Sequence, residues 1–269
     1  MPDTPGPALL VATDLDGTLL RTDGTVSGAT RRVLAAVDDA GVPVVFVTGR
    51  PLRWMADLWP VVGAHGVAVV GNGAVVYDVA TGSVRRVRAL GREVGLDVVA
   101  AIREAVPDAL MAIEDLDGIA IESTAFEDDP STRVGPLEDV WGDAVTKLLV
   151  RAPGLDASEL QTRVAAAVGT AATVTWSMPG LVEISAVGVT KAAALAEVAA
   201  DLGVARDDVH AFGDMPNDLP MLAWAGTSYA VAGAHPSVLD VVDHVVPGND
   251  ADGVARTVAR LVRFTADLL

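Results

Sequence analysis

Asp14 and Asp16 stand two residues apart in Asp14-Leu15-Asp16-Gly17-Thr18, directly after the apolar run at residues 8–12. Alternation along an extended strand end aims both carboxylates to one side and turns Leu15 toward a core. Two carboxylates converging on one point repel, and a hard cation such as Mg²⁺, which takes oxygen ligands, resolves the repulsion. The same five residues also suit an acidic turn, because Asp and Gly are ordinary turn formers. Three further segments raise the same question. Thr48-Gly49-Arg50 offers a hydroxyl and free backbone N–H groups ahead of Pro51, a natural phosphate cradle that is equally good capping chemistry. Lys191 follows Thr190 at a helix start, on the wrong side of the helix dipole unless an anion compensates, although a solvated surface lysine also fits. Gly213-Asp214-Met215-Pro216-Asn217-Asp218 places three oxygen-bearing side chains where they could complete an oxygen-ligated metal site.

Each segment lies at the end of an element. The runs at residues 8–12 and 42–47 are short, apolar and rich in β-branched residues, as strands of a parallel sheet buried on both faces are. Between them Ser27 caps an amphipathic stretch with Val33, Leu34 and Val37 on one face, and Gly41 stops it, giving a βαβ unit. The pattern returns late, with a helix at 191–202, strands at 209–212, 229–232 and 244–246, and a closing helix at 253–264. The two ends of the chain therefore form halves of one doubly wound sheet, whose ligands bind beyond the carboxyl ends of its strands. The middle differs. Strands at 110–113, 119–122, 147–151 and 173–176 alternate with helices at 94–106 and 156–168, an α+β insertion. The expected domains are a core at residues 1–81 and 187–269 and an inserted domain at 82–186. Residues 123–143, acidic and without a clear period, are expected to be a loop.

Composition narrows the chemistry. The chain of 269 residues has no cysteine, which excludes disulfides, thiolate metal sites and cysteine nucleophiles. A formal charge of −17 argues against a general affinity for nucleic acid, which needs a basic footprint. A local cation can still reverse the field around a small phosphorylated substrate. Nothing reads as a membrane span, and residues 1–7 lack the features of a signal peptide, so a soluble cytoplasmic protein is expected. A dinucleotide-binding reading fails, because no Gly-x-Gly-x-x-Gly follows the first strand.

Taken together, Asp14-Leu15-Asp16-Gly17-Thr18, Thr48, Lys191 and Gly213-Asp214 with Asn217-Asp218 resemble the haloacid dehalogenase superfamily of phosphatases over residues 9–79 and 187–268. The placement of the insertion between the second and third motifs resembles the Cof-like subfamily with its α+β cap. Gly71-Asn72-Gly73-Ala74, Gly188-Val189-Thr190-Lys191 and Asn249-Asp250-Ala251-Asp252-Gly253-Val254 match it locally, whereas Gly233-Ala234-His235 departs from the usual Gly-Asn-Ala. The resemblance implies a Mg²⁺-dependent phosphatase that cleaves a phosphomonoester of a small metabolite. In it Asp14 is the nucleophile and forms an aspartyl-phosphate; Asp16 is the acid and then the base, its backbone carbonyl on the metal. Thr48, Gly49 and Lys191 hold the phosphoryl group, and Asn217 bonds to phosphate or Lys191. Asp214 is a direct metal ligand and Asp218 a water-mediated or outer one. Arg50 either reaches substrate or pins its turn by a salt bridge. The cap would close over the core and carry specificity, with Glu114, Asp117, Arg133 and Glu183 as polar candidates. Trp54, Trp59, Trp141, Trp176 and Trp224 suit a core better than a sugar platform, and His65, His210, His235 and His244 show no ligand spacing. A sugar phosphomutase and a catalytically silent binding homologue are the alternatives, and a monomer or homodimer is compatible with everything above.

Overall fold

A computed structural model of the chain describes residues 9–62, 66–127 and 132–263. Its strands are β1 (Leu10–Thr13), β2 (Val44–Val47), β3 (Val67–Val70), β4 (Val75–Asp78), β5 (Ser83–Val87), β6 (Leu110–Asp115), β7 (Gly118–Ile121), β8 (Arg133–Val134), β9 (Lys147–Arg151), β10 (Thr173–Met178), β11 (Leu181–Ser185), β12 (Val209–Gly213), β13 (Thr227–Val231) and β14 (His244–Val246). Its helices are α1 (Gly28–Asp39), α2 (Trp59–Val62), α3 (Arg92–Ala105), α4 (Leu137–Val140), α5 (Ala157–Val168), α6 (Lys191–Asp201), α7 (Leu219–Trp224), α8 (Pro236–Leu239) and α9 (Gly253–Leu261).

Two compact units emerge. The first comprises Met1–Arg50, Met55–Arg85 and Thr190–Leu269, the second Pro51–Trp54 with Arg86–Val189. The first contains a sheet of order β14-β13-β12-β1-β2-β3-β4-β5. The strands from β14 to β3 are parallel, and β4 turns back antiparallel on β3. Every residue of β1, β2 and β3 is buried, which is why these segments read as unbroken apolar runs. Leu10, Ala12, Val45 and Val47 pack with Ala194, Leu195 and Val198 of α6 and with Met221 and Leu222 of α7. On the helices away from this cluster, α1 and α9 pack together. Since β2 and β12 flank β1 on opposite sides, the chain order switches at β1, the position beyond whose strand ends such sheets bind ligands.

The second unit has a six-stranded sheet of order β10-β11-β9-β6-β7-β8, antiparallel except between β7 and β8. Val98, Val99 and Ile102 of α3 and Leu160 and Val164 of α5 cover one face through Met111, Ile113, Leu148, Val150, Val182 and Ile184. The stretch at 123–143 is not all loop: it includes β8 and α4, and residues 128–131 lie outside those described. The reason is local. Leu137 and Trp141, four residues apart after Pro136, bury one helical turn whose length is too short to show a period. Gly95 of α3 is where that turn docks, since a Cβ there would lie 2.0 Å from the Trp141 ring. The closing helix ends at Leu261, with residue 264 of the expected span outside the described residues.

Candidate active site

Asp14, Thr48 and Asp214 each sit one residue past the carboxyl end of neighbouring strands β1, β2 and β12. The register Thr13↔Phe212 and Thr13↔Phe46 sets these ends side by side, and Asp14 N–H donates to the Phe212 carbonyl at 3.0 Å. Lys191 opens α6, whose N-cap Thr190 accepts from Ala193 N–H. The Lys191 side chain, 1% exposed, donates to Asp14 Oδ1 at 2.6 Å and to Asp218 Oδ1 at 2.7 Å. The other Asp218 oxygen accepts the N–H groups of Asp214 and Met215, each at 3.0 Å. Asp214 Oδ1 accepts from the Thr18 hydroxyl at 2.9 Å. That close approach needs a glycine at position 17: its φ is +78°, and a Cβ would lie 2.4 Å from Asp214 Oδ2.

Carboxylate oxygens of Asp14, Asp214 and Asp218 lie within 4.8 Å of one another. One ammonium faces three acids, and Asp14 and Asp214 respond to the imbalance. Burial, opposed by Lys191 and reinforced by Asp218 and Asp214, pushes the Asp14 carboxyl well above the usual range. Burial and Asp218 raise Asp214 to about 6. Burial alone would lower the Lys191 ammonium, but Asp14 and Asp218 more than offset it and hold it charged. An all-oxygen set with surplus negative charge fits a hard divalent cation. Asp14 and Asp214 each keep an oxygen for one; Asp218, bonded through both of its oxygens, instead fixes Lys191 and the backbone at 214–215.

Asp16 departs from the geometry that strand alternation suggests. Gly17 turns the chain, so Leu15 is buried while the Asp16 carboxylate is exposed and clasped by Arg50, with Nε on Oδ2 at 2.8 Å and the fork nitrogen on Oδ1 at 2.6 Å. Arg50 therefore makes the salt bridge that was one of its two expected roles. The Thr48 hydroxyl accepts from Arg50 N–H at 3.0 Å, leaving its own proton to donate. Asn217 Nδ2 donates to Asn72 Oδ1 at 3.1 Å. Asn72 is the residue that spacing alone did not single out as functional; its signal was a non-glycine between Gly71 and Gly73. Three of the four polar candidates of the insertion pair through their side chains within the second unit, and Asp117 bonds there through its backbone. Glu114 pairs with Arg53 at 2.8 Å, Glu183 with Lys147 at 2.5 Å and Arg133 with Asp115 at 2.6 Å, while Asp117 N–H donates to Asp115 in the β6–β7 turn. Trp141 fills the core of that unit, Trp59 stacks on Tyr77 at 4.8 Å, and Trp54 is exposed beneath Arg53. His210 bonds to Tyr229 and His235 to Ser237, and His65 lies outside the described residues.

A family profile for haloacid dehalogenase-like hydrolases matches residues 11–258, spanning both units. The chain belongs to this family. It is a phosphatase of the Cof-like branch. A 5-amino-6-(5-phospho-D-ribitylamino)uracil phosphatase of Bacillus subtilis is 29% identical over 92% of this chain and 95% of its own. A phosphoglycolate phosphatase of Methanothermobacter thermautotrophicus is 28% identical over 94% and 98%. A solved phosphatase structure of the superfamily from Bacteroides thetaiotaomicron superposes with a TM-score of 0.83 at 23% identity, covering 97% of this chain and 98% of that one, and it shares the fold. No helix among the described residues of this haloacid dehalogenase-like phosphatase is long and apolar enough to cross a membrane.

Proposed function

We propose that this phosphatase hydrolyses a phosphomonoester of a small metabolite through an aspartyl-phosphate on Asp14. The observation that carries the reading is the buried Asp14–Lys191 contact of 2.6 Å set among the surplus carboxylates of Asp214 and Asp218. A phosphoryl group brings charge that must be neutralised while it transfers. Lys191 supplies one cation beside the nucleophile, and Thr48 with the Gly49 N–H supplies donors at the end of β2. Asp14 and Asp214, with the Asp16 carbonyl, would hold Mg²⁺, which when bound supplies the remaining positive charge and holds Asp14 ionised. Asp14 attacks phosphorus in line, and the leaving oxygen takes a proton from Asp16. Asp16 then removes a proton from water, which attacks the acyl-phosphate, frees inorganic phosphate and restores Asp14. To carry that proton Asp16 leaves the Arg50 fork, which holds it again as a carboxylate between the two transfers.

The two named relatives act on very different leaving groups, a ribityl-substituted pyrimidine and glycolate, at nearly equal identity to this chain. Overall likeness therefore leaves the leaving group to be measured. The test is phosphate release from a panel containing both of these esters, sugar phosphates and nucleoside monophosphates, with and without Mg²⁺, for wild type and Asp14→Asn. Release that requires the metal and vanishes in the variant is expected; no release from any ester, or equal release by Asp14→Asn, would refute the proposal.

A further inference from the structure

We infer that Asn72 is a positioning residue for phosphate binding: it locks the Asn217 amide against Gly49, so that Asn217 presents its second Nδ2 proton to the bound phosphoryl group. The inference rests on the phosphate cradle proposed above and deepens it. Asn72 is 2% exposed and adopts φ 58°, ψ 25°, inside a turn whose glycines 71 and 73 also have positive φ. Glycine would adopt that conformation at least cost, so an asparagine there points to a use for its side chain.

The contacts show what that use is. Asn72 N–H donates to the Thr48 carbonyl at 3.0 Å, and Gly71 N–H to the Arg50 carbonyl at 2.9 Å, which fastens the turn to the loop after β2. The Asn72 side chain reaches the opposite way, its Oδ1 accepting from Asn217 Nδ2 at 3.1 Å. Gly49 lies directly beneath both amides: a Cβ there would be 3.0 Å from Asn72 Oδ1 and 3.7 Å from Asn217 Nδ2. Gly73 presses on the N-cap of α6, where a Cβ would lie 2.3 Å from the Thr190 carbonyl oxygen, one residue before Lys191. A single turn thus braces three loops that carry Thr48, Asn217 and Lys191. Asn217 Oδ1 is buried with no partner among the described residues, so the bond to Asn72 is what sets the rotation of its amide. With that rotation fixed, one Nδ2 proton faces Asn72 and the other remains for an anion over Gly49.

The test uses the full chain with Mg²⁺ and inorganic phosphate as the probe. Calorimetric affinity is measured for wild type, Asn72→Gly, Asn217→Ala and the double variant, beside melting curves and the separate kcat and KM of the best ester. Asn72→Gly keeps the backbone conformation and removes the side-chain amide, and with it the acceptor of Asn217. It is expected to melt close to wild type while binding phosphate about tenfold more weakly, the scale of one hydrogen bond to a charged group. The double variant is expected to bind no more weakly than Asn217→Ala, because the first residue acts through the second. Phosphate binding by Asn72→Gly equal to wild type, losses that multiply in the double variant, a loss matched by a collapse of melting temperature, or no binding by wild type would each overturn the inference. Since binding is read directly, a chain that binds phosphate but hydrolyses no ester would refute the proposed function and leave the role of Asn72 standing.

Discussion

Lys191 in the first unit and Lys147 in the second are both fully buried lysines paired with carboxylates, yet the charges around them differ in balance. Lys191 contacts Asp14 and Asp218, with Asp214 beside them, so one cation faces three anions. Lys147 contacts Glu183 at 2.5 Å, and its strand partner Glu114 is held by Arg53, so two cations face two anions. Burial raises the Glu114 carboxyl, with Lys147 and Arg53 opposing. A balanced buried cluster is complete within the protein. An unbalanced one must take up protons or a cation to offset its excess charge, and that difference, more than burial or the count of charges, separates a site from a structural network.

The comparison can be broken most severely at Asp14. Asp14→Asn is expected to lower kcat by roughly four orders of magnitude or more, as removal of a nucleophile does. It should also leave the metal-free fold no less stable, because it removes surplus negative charge. Steady-state kinetics and thermal melts on one preparation check both halves. In the balanced cluster the converse holds. Lys147→Met should cost about 3–5 kcal/mol by leaving Glu183 buried without its cation. Denaturant unfolding measures this, and a loss below about 1 kcal/mol would remove the contrast between the two clusters.

Metal sharpens the same contrast. Asp14 and Asp214 are raised in the folded, metal-free protein, so they favour folding at low pH, and that contribution is lost as pH rises from the unfolded range through about 6 for Asp214. Mg²⁺ at a hundredfold excess over its Kd should therefore stabilise the protein by about 2.7 kcal/mol at pH 7.5, with a smaller shift at pH 5. Scanning calorimetry at the two pH values, with Asp214→Asn as the control that abolishes the shift, decides it. Gly17→Ala is expected to cost about 1–2 kcal/mol in stability, for its positive φ, and to weaken Mg²⁺ binding, for the 2.4 Å approach to Asp214. The smallest effect belongs to the exposed Glu159–Arg163 pair of α5, where Glu159→Ala should change stability by about 0.5 kcal/mol or less.

Much of this was legible in the sequence, because strand ends and helix starts have local signatures. Apolar runs followed by Asp14, Thr48 and Asp214, and Thr190 capping the helix that Lys191 opens, determined which backbone positions would meet beyond one sheet. The alternation of strands and helices in the middle segment was readable from its periods, and the turn at Leu137–Val140 was missed because four residues carry no period. Tertiary structure alone decided the partners. Asp16 turned out to Arg50, Asp218 gave both oxygens to Lys191 and the backbone, and Asn72 entered the site through Asn217. The reason is range. A capping bond joins residues three apart, whereas Lys191 reaches Asp14 across 177 positions, and no local pattern records which of several carboxylates a buried ammonium will meet once four loops converge.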